Sequence, residues 1–211
     1  MTTEQPITVV VRVWMPDRPG ALGQVASRIG AVRGDVLGIE ILEQGGDQVI
    51  DELTVGLPDV GLVSLLTSEI DAVDGVRVED VRSVSVDRVD PSLAALASAA
   101  GLAEARSDER LEVLCGAIRR IIDGDWAVVI DGESIVHADG DSPDVGWLIA
   151  FLAGSGHLTD VDDGLPSDLV WSHLVVSGLT VAAGRADRAI HERERVRVSL
   201  VARLADALLA P

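Results

Sequence analysis

The sequence predicts an α+β protein: a ferredoxin-like βαββαβ sandwich followed by a second α+β domain. Three observations predict this. The opening segment runs strand, helix, strand, strand, helix, strand by the period of its apolar residues. Asp90-Pro91 and an alanine-rich stretch then interrupt the pattern. The remainder carries two hairpin patterns and a closing amphipathic helix. The expected division is residues 1–88, a helical linker over 89–106, and residues 107–211.

In the first strand Ile7, Val9, Val11 and Val13 alternate with Thr8, Val10, Arg12 and Trp14. Met15-Pro16-Asp17-Arg18-Pro19-Gly20 breaks it, and Leu22, Val25, Ile29 and Val32 follow at helical spacing. Pro19 suits the first helical turn, where its missing N–H costs nothing, and Gly34 suits the left-handed position that closes a helix. The second strand runs from Val36 to Glu43, and Gly45-Gly46 turns it into a third, Gln48 to Val55. Past Pro58, Leu62, Leu65, Leu66, Ile70 and Val73 form a second helical stripe that Asp74-Gly75 ends. Val76 and Val78 begin a fourth strand, and the slip in alternation between Val78 and Val81 predicts a bulge or strand end. This order makes four antiparallel strands with both helices on one face.

Asp17-Arg18-Pro19-Gly20-Ala21-Leu22, followed by Val25 and by Gly34-Asp35-Val36 at the second strand, resembles the signature of the ACT-domain family. The family's usual glycine is separated from the next polar residue, whereas Gly34 is followed directly by Asp35. Some amino-acid-sensing members carry a histidine where this chain has Met15, which leaves the ligand's identity open. The resemblance implies amino-acid binding between two ACT domains paired side by side, hence a homodimer. The residues agree with that chemistry. Backbone N–H groups near Gly20, Ala21 and Leu22 can receive a carboxylate at the helix start without a basic side chain. Gly20 permits close approach. Asp17 and Asp35 are each candidate acceptors for a ligand ammonium. Against this, Asp17 also suits a helix entry and Asp35 a turn, and many ACT domains only dimerise. The expected ligand-binding set is Asp17, Pro19, Gly20, Ala21, Leu22 and Asp35.

In the second half, Ser107-Asp108-Glu109 starts a helix whose stripe is Leu111, Leu114, Cys115, Ile118 and Ile122. Trp126 to Ile130 and Ser134 to Ala138 form a hairpin about Asp131-Gly132, and Val145 to Ala153 a short helix. Asp168 to Val175 and Leu179 to Ala183 pair about Ser177-Gly178, and a final helix turns Val196, Leu200, Leu204 and Ala207 inward. Ala183-Gly184-Arg185, leading through Arg188-Ala189-Ile190 into a Glu-rich helix, is similar to the ending of GAF domains, in shortened form. A competing reading takes Asp141-Ser142-Pro143-Asp144 as a degraded echo of Asp17-Arg18-Pro19-Gly20, making two ACT-like repeats.

The formal net charge is −18 and all 17 basic residues are arginine, so a phosphate backbone would be repelled; aromatics at 2% supply no stacking platform. No nucleic-acid or membrane partner is expected. No apolar run approaches a membrane span, no basic leader precedes one, and a single cysteine forms no intrachain disulfide, so a cytoplasmic protein is expected. Cys115 lies within an apolar stripe without a histidine in view, which makes it a core residue. Asp139 and Asp141 have the first spacing of a calcium loop, but Pro143 and Asp144 stand where a ligand and glycine belong; Asp160, Asp162 and Gly164 fail likewise. His137, His157, His173 and His191 show no zinc spacing. Gly154-Ser155-Gly156 is not a dinucleotide loop, and without lysine there is no Schiff base. The expectation is a non-enzymatic regulatory protein with no cofactor or metal, sensing an amino acid or similar small molecule. The alternatives are a regulatory subunit partnered with an amino-acid biosynthetic enzyme, and a hydrolase using the acidic loops of the second half.

Overall fold

In a computed structural model, which describes residues 6–155 and 168–210, the chain divides between Arg88 and Val89 into two compact units. The predicted α+β class holds in both, each built on one antiparallel four-stranded sheet.

The first unit runs β1 (Ile7–Pro16), α1 (Ala21–Ala31), β2 (Asp35–Gly45), β3 (Gln48–Leu57), a 3-10 turn (Val60–Leu62), α2 (Val63–Asp71) and β4 (Arg77–Val84). Its sheet order is β2-β3-β1-β4, so β2 and β4 are edges. Val9, Val11, Val13 and Met15 of β1 and Val49, Leu53 and Val55 of β3 face Val25 and Ile29 of α1 and Leu66 and Ile70 of α2. One sheet face thus carries both helices. Met15 belongs to this core, 2% exposed.

Local details depart from the expectations. Pro19 precedes the helix, whose N-cap is Gly20 at φ +88°. At the other end Arg33, not Gly34, takes the left-handed conformation. Arg33 N–H donates to Gly30 C=O at 3.0 Å and Gly34 N–H to Ile29 C=O at 2.9 Å, a Schellman closure. Gly34 is needed for space, because a Cβ there would stand 2.8 Å from Ile29 Cγ2. Leu65, expected inward, is exposed because α2 presents Leu66 and Ile70 to the core. The predicted slip in the fourth strand is a bulge at Glu79, opposite Arg12/Val13.

The other face of β1 and β3 buries a charge cluster. Glu52 accepts from Arg12 Nε at 2.7 Å and from Arg82 and Arg88 at 3.3 and 3.0 Å. Burial pushes the Glu52 carboxyl up, but the three guanidinium groups outweigh it and hold the group down at about 2.

The second unit runs α3 (Pro91–Glu104), α4 (Arg110–Ile122), β5 (Trp126–Asp131), β6 (Ser134–Gly140), α5 (Val145–Ser155), β7 (Leu169–Leu174), β8 (Leu179–Gly184) and α6 (Glu192–Leu209). Its sheet order is β6-β5-β8-β7. On one face α4 and α6 pack against Ala127, Val129 and Val181; on the other, Leu148 and Leu152 of α5 meet Trp126, Val128 and Ala182. The stretch expected as a linker is α3, whose fully buried Leu102 joins the α4/α6 core, so it is part of this unit. Two hairpins around one helix are not a second βαββαβ pattern, which removes the repeat reading; Asp144 instead caps α5, accepting from Trp147 N–H at 3.0 Å.

The closing helix is rotated from the predicted face. Val198, Val201, Ala202 and Ala205 are buried, whereas Val196 and Leu200 are half exposed. Two carboxylates, Glu194 and Asp206, share the buried face because each is met by donors from elsewhere in the unit. Arg185 donates to both oxygens of Glu194 at 2.8 Å and to the carbonyls of Ile122, Arg188 and Ala189. Asp206 accepts from Val176 and Ser177 N–H at 2.9 Å, pinning the β7–β8 turn.

Two predictions follow from these cores. A fragment beginning at Val89 folds, whereas one beginning at Ser107 loses Leu102 and shows the lower melting temperature by circular dichroism. The depressed Glu52 group contributes stability present above its ordinary value of 4.5 and lost as pH falls towards about 2. Glu52→Gln therefore lowers first-unit stability by about 3 kcal/mol at neutral pH and flattens that acid dependence in denaturant titrations.

Candidate functional site

At the end of the first unit's sheet where β1 leaves Pro16, the chain must turn over the edge to begin α1. Asp17 N–H donates to Asp47 C=O at 2.9 Å, tying this loop to the β2–β3 hairpin. Asp17 Oδ2 accepts from Gln44 Nε2 at 3.1 Å, so the carboxylate is oriented by the edge strand and is not the helix cap. Gln44 reaches it because β2 carries a bulge at Leu42. In an unbroken strand Gln44 would face away from Ile41; the extra residue returns it to the helix-bearing face.

Gly20 at φ +88° supplies the left-handed turn that sends the chain into α1. Ala21 N–H is taken by Arg18 C=O at 3.2 Å, and the first full helical bond is Gln24 N–H to Gly20 C=O at 3.1 Å. Leu22 and Gly23 N–H therefore have no intrahelical acceptor and supply the positive end of the helix. Among the expected site residues, Asp17, Pro19 and Gly20 are exposed around this helix start, Ala21 is buried and Leu22 is half-buried against the core. A Cβ on Gly20 meets nothing within 4 Å, yet the backbone conformation strains any larger residue.

Asp35 stands apart from them. It opens β2 level with Gly56, which pairs with Thr8, whereas Asp17 lies beyond Pro16. At the rise of an extended strand these levels are about 25 Å apart. Within one chain Asp35 and Asp17 do not share a pocket.

The sequence reading missed Asp51. It lies on β3 between Val49 and Leu53, opposite Val13 on β1 and Ile41 on β2, and so on the helix-bearing face. Burial first, and then the Asp17 charge, push its carboxyl up. The available signal was the pair Asp51-Glu52 in mid-strand, since alternation must turn one of two adjacent acids inward.

In the second unit, Cys115 is fully buried, and burial with the Asp139 charge pushes its thiol up to about 12, away from nucleophilic use. Asp139 is engaged by Arg119 at 2.8 Å, His173 Nδ1 meets Thr180 Oγ1 at 3.0 Å, and His191 caps α6. His157, Gly156, Asp160, Asp162 and Gly164 lie outside the described residues. Among the described residues, no helix is long and apolar enough to cross a membrane.

No family model and no curated protein matches the chain. Among solved structures it is similar to the ACT domain from GTP pyrophosphokinase of Chlorobium tepidum, at 15% identity over 38% of this chain and 100% of that one, TM-score 0.31. An uncharacterised protein from Thermotoga maritima matches at 18% identity over 38% of this chain and 100% of that one, TM-score 0.32. An unknown protein from Galdieria sulphuraria covers 85% of this chain and 79% of its own at 16% identity, TM-score 0.35.

If Gln44 orients the loop, Gln44→Ala frees Asp17 while leaving the core intact. The expected outcome is a melting temperature nearly unchanged, with the Asp17 side chain averaging over several χ1 rotamers by NMR coupling constants.

Proposed function

We propose that the first unit is a regulatory amino-acid sensor that works as a dimer. The observation carrying this reading is the juxtaposition at the start of α1: N–H groups of Leu22 and Gly23 beside a carboxylate, Asp17, held in place by Gln44. Donors fit a ligand carboxylate, the acid fits an ammonium, and a free amino acid carries both.

Dimerisation is supported by the edge strand. β2 exposes Ile39 and Ile41 on the helix-bearing face and, across a bulge, Leu37 on the other, beside the free backbone edge of the strand. Antiparallel pairing of β2 with β2 of a second copy, centred near Glu40, sets Asp35 of each copy level with Gly45 of the other. That is the end where Gln44 and Asp17 lie, so the two expected carboxylates meet across an interface though not within a chain. The second unit, on its resemblance to GAF domains, is the proposed seat of a second small ligand or a protein partner.

A thermal-shift screen with the common amino acids tests the reading, and calorimetry measures the hit. Asp17→Ala is expected to weaken binding about ten- to a hundredfold, the loss of one charge-assisted hydrogen bond of roughly 1.5 to 3 kcal/mol. Asp35→Ala is expected to weaken it less, and only in the dimer. Ile39→Glu with Ile41→Glu is expected to give a monomer by light scattering at micromolar concentration; a monomeric wild type would refute the shared interface.

A further inference from the structure

Asp51 is 4% exposed, and its Oδ1 is buried with no hydrogen-bond partner among the described residues. A carboxylate in that position is expensive to ionise unless a donor or cation reaches it. The next residue shows that the chain can supply such partners: Glu52, on the opposite face, is met by Arg12, Arg82 and Arg88. The charge acting on Asp51 is another carboxylate, Asp17, which adds to its isolation.

The two acids are neighbours by register: Gln44, which holds Asp17, pairs with Val49 on the helix-bearing face, and Asp51 is the next residue of β3 on that face. The loop of Asp17 leads into α1, where Leu22 and Gly23 N–H have no intrahelical acceptor. A bare metal ion fits this combination badly, because hard cations want a shell of oxygens and the helix start repels positive charge. A ligand that brings its cation and its anion together fits both halves. Ammonium placed between Asp17 and Asp51 satisfies the orphaned oxygen and relieves the repulsion between the acids, while the adjoining carboxylate takes the free N–H groups.

We propose that Asp51 is the specificity-determining residue of this site, selecting a ligand with an α-ammonium group over the same carboxylic acid without one. The proposal rests on the amino-acid reading above and adds a residue that the loop motif does not contain. Asp17 is exposed and already accepts from Gln44, so it offers an ammonium a partly satisfied, hydrated partner. Asp51 Oδ1 is buried and has no partner among the described residues, and it disfavours a ligand that leaves it so.

The test uses the full chain and three matched pairs: L-alanine with propionate, L-valine with isovalerate, and L-phenylalanine with 3-phenylpropionate. Asp51→Asn keeps the shape and removes the charge. It is expected to raise the melting temperature of the unliganded protein, because an unpaired buried acid is gone. It is also expected to cut the preference for the best-bound amino acid over its partner acid by about tenfold or more, mainly by weakening the amino acid. Asp51→Leu, matched to the flanking Leu53, serves if the Asn variant does not fold, with the same two expectations. An unchanged preference in a folded variant overturns the role of Asp51 and leaves the sensor reading standing. Wild-type protein that binds no common amino acid overturns both.

Discussion

β3 carries two adjacent buried carboxylates, and a strand must turn adjacent side chains to opposite faces. Much of the first unit's chemistry follows from how it deals with each. Glu52 is met by guanidinium groups from β1, from β4 and from the segment after β4, so one acid ties the sheet's central strands to an edge. Asp51 faces the helix side, among valine and leucine, with an unpartnered oxygen. The contrast is informative because burying a charge costs the same on either face. On one face the charge is compensated within the chain. On the other, Asp51 Oδ1 has no compensating partner among the described residues.

Strand and helix order was legible because period two and period 3.6 are read from residues a few positions apart. What was not legible depends on three-dimensional neighbours. In α6, Val196 and Leu200 make as good a stripe on paper as Val198 and Val201. The face that wins also carries Glu194, Arg197 and Asp206, which a hydropathy pattern assigns to solvent. Arg185 and the β7–β8 turn make burial of Glu194 and Asp206 affordable, and both partners come from elsewhere in the sequence. The same holds for α3, whose alanine-rich sequence reads as a spacer until Leu102 is seen inside the core. At the end of α1 the motif pointed to the right residue for the wrong reason: Gly34 is small because Ile29 is close, while Arg33 bears the left-handed turn.

The candidate site was legible in its loop and illegible in its floor. Asp17 to Gly20 is contiguous, so a motif captures it. Gln44 enters only through a bulge, whose position in an edge strand the alternation did not reveal. Asp51 enters through the register of β3 with its two neighbours. Asp35, contiguous with the motif glycine in sequence, stands at the far end of the strand. Within one chain, sequence proximity to a motif is therefore a poor guide to which residues lie together; register is the better one.

A binding site that keeps an acid unsatisfied stores its selectivity as instability of the empty state. That links three properties that are separate in a fully satisfied fold: the stability of the unliganded unit, its discrimination between ligands, and the tightening that follows binding. On the proposed reading, a ligand that supplies an ammonium stabilises the bound state by more than its own contacts, because it also removes the repulsion between Asp17 and Asp51. The place proposed for this tightening is the junction of the β1–α1 loop, the end of β2 and the centre of β3. Two of those three elements border the exposed edge on which a second copy is proposed to pair. Occupancy of the site and the geometry of that edge are then governed by the same few residues, which is the arrangement a sensor needs if binding is to be felt at an interface.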